Sequence, residues 1–355
     1  MTSLTPTATV APATAQTHLQ VISRLQGLID QVLAPSLPAL RAGPYGLMDM
    51  PDHGNVGDSA IWAGEIAWLR KNLGSDPAMI TDHRDPLDQV NRDLAGKTVL
   101  LHGGGNFGDI WTENNDFREA IIAANPDSTI ISFPQSIHYD NPANIAKTAR
   151  NLRAAKFLRL LVRDHESHAL ATQAFDCEVT LCPDMAFAMG PLQRVGTPDL
   201  NVLLLMRTDK EGVGHLSQEW PKGWEQADWL DDTPNLERDV LRDSRIKAVM
   251  SLSPARMSRI ARRNYYYNQL AERRVTRGLK QLSRARFVIT DRLHVHILST
   301  LLGLPHCFLD NHYGKISRFS AAFSTRWSES YQAKTLPEAV ACAQAWLERA
   351  GTVQS

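Results

Sequence analysis

The sequence is poor in cysteine, with only Cys177, Cys182, Cys307 and Cys342 among 355 residues, and it contains no CxxC pair. This usage argues against a disulfide framework and against grouped zinc ligands, and it is typical of thiols kept in a reducing compartment. We therefore expect a cytoplasmic protein whose cysteines behave as small buried apolar side chains.

Long apolar runs are also missing, since none approaches the roughly 18 residues that a membrane-spanning helix needs. The first 17 residues are rich in Thr, Ala and Pro, and they lack the basic start and apolar core of a secretion signal. We predict that residues 1–17 form a disordered tail.

Net charge is absent as well, because 38 Lys and Arg balance 38 Asp and Glu, so no overall charge draws the chain toward nucleic acid. The distribution is uneven, however, since residues 241–292 hold fourteen Lys and Arg against three Asp and Glu. This basic stretch indicates a solvated helix face, or a surface that attracts a phosphorylated substrate or an anionic membrane.

Several catalytic motifs do not occur, including HExxH, the P-loop and the GxSxG elbow, and we expect no metal and no cofactor. Gly103, Gly105 and Gly108 match GxGxxG. The next predicted strand ends without the carboxylate that would hold a ribose, which argues against a nicotinamide enzyme.

What is present is an alternation of short apolar strands and amphipathic helices, which is the pattern of parallel sheets covered by helices. It breaks near residues 190–200, where Gly and Pro concentrate, and then restarts. We predict an α/β protein with two doubly wound Rossmann-like domains, 18–190 and 198–335, that face a cleft. Residues 336–355 form a closing helix and tail.

The most informative stretch runs from Phe287 to Pro305. A buried strand ends near Ile289, and a helix follows, so Arg292 and His294 are predicted in the turn between them. That turn lies at the carboxyl edge of a parallel sheet, where ligands bind, and the helix N-terminus favours anions. The alternative is a turn capped by Thr290 or Asp291 whose arginine pairs with a nearby carboxylate.

Other candidates occupy similar strand ends. Arg163 follows a predicted strand in the same way as Arg292, and Asp109 is a candidate base or hydroxyl binder. Asn55 and Asp58 lie in a glycine-rich turn where they suit sugar hydroxyls, although a tight turn with Asp58 as helix cap explains Asp58 equally well. The backbone of three more residues is a candidate cradle for a ligand: Gly104, Gly105 and Asn106.

Seven short motifs together resemble the polysaccharide pyruvyl transferase family, most closely its exopolysaccharide ketal-forming members. They are His53-Gly-Asn-Val-Gly-Asp58, Gly103-Gly-Gly-Asn-Phe-Gly-Asp109, Val162-Arg-Asp-His-Glu-Ser167, Pro183-Asp184, Asp291-Arg-Leu-His294, Gly303-Leu-Pro305 and Asp310-Asn-His-Tyr-Gly-Lys315. The resemblance implies a fold similar to the two-domain glycosyltransferase B type, with the acceptor on the N-terminal domain and the donor on the C-terminal domain.

The resemblance further implies phosphoenolpyruvate as donor, a sugar as acceptor, and a pyruvate ketal as product. The acceptor is expected to be a lipid-linked oligosaccharide, with peripheral membrane contact and no nucleic acid partner. Arg292, Leu293 and Lys315 are expected to bind the donor, with Arg163 as a second arginine. His294 suits the role of the acid that protonates the donor methylene, because histidine gives up a proton near neutral pH.

Two other functions fit the same pattern. A nucleotide-sugar-dependent glycosyltransferase shares the architecture, since a fold does not fix a function. A non-catalytic polysaccharide-binding protein is the third interpretation. Trp220, Trp224 and Trp229 lie in a polar segment, where they either stack on sugar rings or pack into the domain.

Overall fold

The computed structural model describes residues 16–208, 220–250, 257–310 and 314–351. The chain divides into two compact units, and each combines distant parts of the sequence. The N-unit comprises Leu25–Met189 and Trp229–Gly278. The C-unit comprises Met1–Arg24, Gly190–Asp228 and Leu279–Ser355.

The secondary structure follows the predicted alternation. The helices that the structure describes are α1 (His18–Leu33), α2 (Leu37–Ala42), α3 (Val56–Leu73), α4 (Leu87–Leu94), α5 (Thr112–Ala124), α6 (Pro142–Leu152), α7 (His165–Ala174), α8 (Leu236–Met250), α9 (Arg259–Ser283), α10 (Leu293–Leu301), α11 (Lys315–Phe323) and α12 (Leu336–Ala350). The strands are β1 (Tyr45–Met48), β2 (Met79–Ile80), β3 (Thr98–Leu101), β4 (Gly104–Gly108), β5 (Thr129–His138), β6 (Phe157–Val162), β7 (Glu178–Leu181), β8 (Leu200–Leu205), β9 (Trp224–Ala227), β10 (Ala285–Thr290), β11 (His306–Phe308) and β12 (Ser330–Gln332).

The N-unit is built on a parallel sheet with the strand order β2-β1-β3-β5-β6-β7. Its central strands are runs of Val, Leu and Ile that are buried, as expected for a sheet covered by helices. All carboxyl ends of these strands therefore meet at one edge, and residues that follow different strands are brought together there.

Strand β4 is a continuation of β3 rather than a turn into a helix. The first half of the long strand β5 pairs with β3, and its second half pairs with β4. His102 and Gly103 separate the two short strands. Gly108 has a positive φ of 121°, and a side chain there would overlap the carbonyl oxygen of His138. The glycines thus serve close strand packing.

The C-unit has a second parallel sheet, with the order β12-β11-β10-β8-β9. Val202, Leu204, Phe287 and Ile289 lie on one face of its central strands, and α12 contributes Ala339, Ala343 and Leu347 to the same apolar core. This packing confirms the predicted α/β class with parallel sheets. The arrangement of two domains around a cleft stays a prediction.

Two predicted elements of the segment around residues 211–250 differ from the structure. The apolar-rich sequence Ile246–Met250 predicts a strand, and this prediction is wrong, because these residues end α8. Leu236, Val240 and Ser244 are buried at intervals of four, so the helical repeat places Ile246 outward. The polar composition of residues 211–235 predicts an insertion loop, but this segment contains strand β9, whose sequence Trp-Glu-Gln-Ala has no apolar run typical of a strand.

The structure assigns Trp229–Gly278 to the N-unit, whereas the sequence placed this segment within a C-terminal domain of 198–335. Polar contacts anchor it there: the indole of Trp62 donates to Asn268, and the hydroxyl of Tyr267 donates to Asp82. Arg274 is buried and pairs with Asp232. Such contacts join residues far apart in sequence, so no local sequence pattern predicts them.

Candidate functional site

Arg292 lies at the carboxyl end of β10, where the sequence placed it. The residue is 3% exposed, and its Nη2 lies 2.6 Å from Oδ2 of Asp228, which follows β9. The backbone N–H and the hydroxyl of Thr208 both donate to the same carboxylate oxygen. Asp228 is thus fixed by its neighbours and in turn orients the guanidinium.

The turn around Arg292 is held by buried hydrogen bonds. The Thr290 hydroxyl accepts from the N–H of Arg292 and donates to the Leu205 carbonyl. Oδ1 of Asp291 accepts from the N–H of Arg207 at 2.8 Å. Arg292 itself occupies the N-cap position of α10, and its own side chain makes no hydrogen bond that caps the helix. Part of the alternative prediction is therefore correct, since the arginine does pair with a carboxylate.

Leu293 and His294 form the first turn of α10, immediately after Arg292. Leu293 is buried at 6% exposure, whereas His294 is half-buried. Lys315 is half-buried and begins α11, which follows β11, the strand beside β10. The starts of α10 and α11 therefore lie at the ends of neighbouring strands. His312, a second histidine that could serve as the acid and belongs to the Asp310–Lys315 motif, lies outside the described residues.

His296 faces the interior, unlike His294. Its Nδ1 lies 2.8 Å from Nε2 of His306, and its Nε2 lies 2.9 Å from the Thr325 hydroxyl. Burial lowers the pKa of His306 to about 4 and lowers the pKa of His296 well below its usual value. The two rings are therefore neutral, structural groups at neutral pH.

Arg163 occupies the corresponding place in the N-unit, at the end of β6. It is 2% exposed, its Nη1 lies 2.5 Å from Asp184, and its Nε donates to the Ser136 hydroxyl at 3.0 Å. The next residue, Asp164, caps α7 by accepting from the N–H of Ser167. These contacts fix the loops that follow three strands, and a donor-binding role for Arg163 stays a prediction.

The predicted cradle gathers in the N-unit. Asn55, not Asp58, is the N-cap of α3, since its side chain accepts from the N–H of Gly57. The amide of Asn55 donates to Asp58 at 2.8 Å, and a side chain at Gly104 would come within 3.9 Å of the Asp58 carboxylate. Gly105 and Asn106, the remaining cradle residues, are half-buried in β4.

Asp109 follows β4 and organises the turn before α6. Its carboxylate accepts from the N–H groups of Asp140 and Asn141 and from the Asn144 amide, at 2.8 to 3.0 Å. Burial would raise the pKa of Asp109, but these hydrogen bonds outweigh it and lower the pKa below its usual range. An ionised, engaged carboxylate suits a structural role better than proton transfer, and its catalytic assignment stays a prediction.

Sequence reasoning missed a buried carboxylate–histidine pair in the N-unit. Glu65 is fully buried in α3, with Oε2 at 2.8 Å from Nδ1 of His102 and Oε1 accepting from the N–H of Gly103. Burial raises the pKa of Glu65, although His102 opposes the shift. One signal was available: Glu65 interrupts an otherwise apolar face of α3.

A second missed network adjoins it. Asp49 follows β1 with a positive φ of 66°, and its carboxylate lies 2.6 Å from Nη2 of Arg118. Arg118 also donates to Gln135, whose amide donates to the carbonyl of His102. Asp49 and Arg118 are each 1% exposed. The network ties together the ends of β1, β3 and β5.

The tryptophans of the polar segment pack into the protein. Trp220 and Trp224 stack on each other with ring centroids 6.2 Å apart, beside the C-unit core. Trp229 is 2% exposed in the N-unit. Within the described residues, packing rather than an open sugar platform accounts for all three.

Over the described ranges, no group of three or more His, Cys, Asp and Glu side chains has the arrangement of a metal site. Among the same residues, no helix has the length and hydropathy that a membrane span needs.

Two parallel sheets covered by helices, with charged residues at their strand ends, define an α/β protein of the doubly wound class. A crystal structure of a functionally uncharacterized protein from Klebsiella pneumoniae subsp. pneumoniae NTUH-K2044 is similar in fold. The TM-score is 0.55 at 18% identity, over 86% of this chain and 99% of that chain.

Sequence comparison is more specific than the fold. The family model for polysaccharide pyruvyl transferases matches residues 55–313. Pyruvyl transferase 1 of Schizosaccharomyces pombe is 33% identical over 287 residues, which cover 77% of this chain and 68% of that protein. A Bacillus subtilis protein named "Putative pyruvyl transferase EpsO" is 30% identical over 279 residues, covering 76% and 82%. The chain belongs to the polysaccharide pyruvyl transferase family, and the predicted resemblance is confirmed.

Proposed function

We propose that this protein transfers pyruvate from phosphoenolpyruvate to two hydroxyls of a sugar in a polysaccharide repeat unit, which forms a cyclic ketal and releases phosphate. Family membership supports pyruvyl transfer. The choice of donor site rests on the Arg292 turn. There a buried guanidinium is oriented by Asp228, His294 follows two residues later in the first turn of α10, and the side chain at the N-cap does not cap the helix.

Phosphoenolpyruvate carries a carboxylate and a phosphate close together. The planar fork of Arg292 matches either group, and the N–H groups at the start of α10 add a partial positive charge. Lys315, at the start of the neighbouring helix α11, supplies a second positive charge. The buried side chain of Leu293 holds the turn against the core, so the backbone that faces the donor is rigid.

His294 is proposed as the acid. It gives a proton to the methylene carbon C3 of the donor while the oxygen of a sugar hydroxyl bonds to C2. The proton of that hydroxyl returns to the imidazole. The bond between C2 and the bridging phosphate oxygen then breaks, and its electron pair leaves with the phosphate. A second sugar hydroxyl bonds to C2 and passes its proton to the phosphate. Arg292 stabilises the negative charge of the departing phosphate.

The acceptor is proposed to bind at the N-unit cradle formed by Asn55, Asp58 and the backbone from Gly104 to Asn106. Amide and carboxylate groups suit sugar hydroxyls because they donate and accept hydrogen bonds at defined positions. We further propose that the acceptor is lipid-linked, in keeping with what the resemblance to exopolysaccharide-modifying members implies.

The test is incubation of the purified protein with phosphoenolpyruvate and diol-bearing oligosaccharides, both free and lipid-linked. We expect phosphate release together with a product whose mass is that of the acceptor plus a pyruvate ketal. In deuterated buffer, one deuterium should enter the ketal methyl group. Consumption of a nucleotide sugar with phosphoenolpyruvate untouched would instead identify a glycosyltransferase.

A further inference from the structure

The far end of α8 presents apolar side chains to solvent. Val249 is 84% exposed and Met250 is 72% exposed, while Ile246 is 48% exposed. Spacings of three and four residues place them together on the outward face, opposite the buried Val240 and Ser244. Exposed apolar side chains that lie together in this way usually mark a surface that binds another protein or a membrane.

The start of α9 extends this surface. Arg273 pairs with Asp243, and the ammonium of Lys247 lies 4.1 Å from the ring centroid of Tyr265. Residues further along α8 contact residues with lower numbers on α9, so the two helices run antiparallel. Ile260, which is 44% exposed, therefore lies at the same end of the helix pair as Met250. We call this end the α8–α9 tip.

The basic stretch of the sequence separates into two groups in the structure. Most of its arginines are committed to carboxylates, as in Arg263 with Asp85 and Arg274 with Asp232. At the tip the situation differs. Arg245, Arg259 and Arg262 are exposed, and no carboxylate among the described residues forms an ion pair with them.

We propose that the α8–α9 tip docks on the surface of an anionic lipid bilayer. Ile246, Val249 and Met250 would enter the boundary between headgroups and acyl chains, and the three arginines would meet lipid phosphates. A second copy of the chain fits this surface less well, because a two-fold contact would set the arginines of one copy against those of the other. The docking does not depend on the pyruvyl transfer proposed above.

The test is co-sedimentation of the full chain with vesicles of phosphatidylglycerol and phosphatidylcholine, beside vesicles of phosphatidylcholine alone. We expect binding to the anionic vesicles that weakens as salt is added. Arg259→Gln with Arg262→Gln should weaken binding about thirtyfold, since each basic residue near an anionic surface contributes about fivefold. Val249→Ser with Met250→Ser should weaken binding to a similar degree at every salt concentration.

Phe157→Ser is the matched control. Phe157 is an apolar side chain of the same unit that is 60% exposed, and it lies at the amino end of strand β6 and not on α8 or α9. It should leave vesicle binding unchanged. Equal thermal melting of all variants excludes misfolding. Two results would overturn the proposal: absence of binding to anionic vesicles at low salt, or a dimer in sedimentation velocity that the Val249 and Met250 substitutions abolish.

Discussion

Each unit carries an arginine at the end of a parallel strand with a histidine two residues later at the start of a helix. In the N-unit the turn is Arg163-Asp164-His165, and in the C-unit it is Arg292-Leu293-His294. Both arginines are buried and both pair with an aspartate that follows a different strand. The two turns differ in the residue between.

The N-cap residue of each helix decides what the helix start can bind. Asp164 places a carboxylate on the N–H groups that begin α7, so the site already holds a negative charge. In the C-unit the N-cap is Arg292 itself, whose side chain makes no hydrogen bond that caps α10, and Leu293 is buried in the first turn of the helix. Because helix N-termini attract anions, the Arg292 turn suits phosphoenolpyruvate better than the Arg163 turn.

The largest effect that tests this contrast is on turnover. His294→Gln should lower kcat by about two to four orders of magnitude, the usual contribution of a positioned acid, with donor affinity nearly unchanged. His165→Gln is the matched control, because His165 is exposed at the equivalent place, and its kcat should stay near the parent value. Steady-state kinetics of phosphate release measures both. Equal activity of the two variants would remove His294 as the acid.

The loss of unfolding free energy should be larger for substitution of Arg163 than for substitution of Arg292. Arg163→Met leaves Asp184 buried at 1% exposure without its guanidinium, which should cost about 3–5 kcal/mol of unfolding free energy. Arg292→Met should cost less, about 1–3 kcal/mol, because Thr208 still donates two hydrogen bonds to Asp228. Urea denaturation gives both values. A larger loss for Arg292→Met would reverse the assignment of the structural pair.

Donor affinity is the next effect in size. Arg292→Lys keeps the charge but loses the planar fork, so phosphoenolpyruvate should bind about tenfold to a hundredfold more weakly. Arg163→Lys should bind it nearly as well as the parent. Calorimetry compares the two variants. If both lose affinity equally, then Arg163 binds the donor as well, as the family resemblance implies.

The last effect separates the two units by the response of their stability to acid. The folded pKa of His306 is about 4, below the ordinary 6.5, so the unfolded chain takes up protons first. The contribution of His306 to stability should therefore be complete above pH 6.5 and decline below it by about 1.4 kcal/mol per pH unit, levelling off near pH 4.

Urea denaturation at falling pH measures this decline, and hydrogen exchange locates it. Peptides of β10, β11 and α10 in the C-unit should lose protection before those of the N-unit sheet. His306→Gln should reduce the slope, since one titrating ring is removed. An unchanged slope in that variant would assign the acid sensitivity to carboxylates instead.

Much of the local structure was predictable because it depends on periodicity and turn chemistry. The apolar spacing from His18 to Leu33 defined α1 with the bounds that the structure shows. Strand β10 and Arg292 were placed correctly because an apolar run followed by a polar turn and a helical repeat is a local signal. The helix begins earlier than predicted, at Leu293, so His294 lies in its first turn and not in the turn before it. The end of α8 was mistaken for a strand because five apolar-rich residues do not distinguish the two periods.

Tertiary structure decided which side chains pair with the site residues. Asp228 lies 64 residues from Arg292 in sequence and meets it only because β9 and β10 both pair with β8 in one parallel sheet. Glu65 reaches His102 across 37 residues for a similar reason, since α3 packs over the end of β3. The sequence by itself determined the α/β class, the family and the Arg292-Leu293-His294 turn. Only the fold determined which carboxylate orients each arginine, because strand register and burial are properties of the packed sheet.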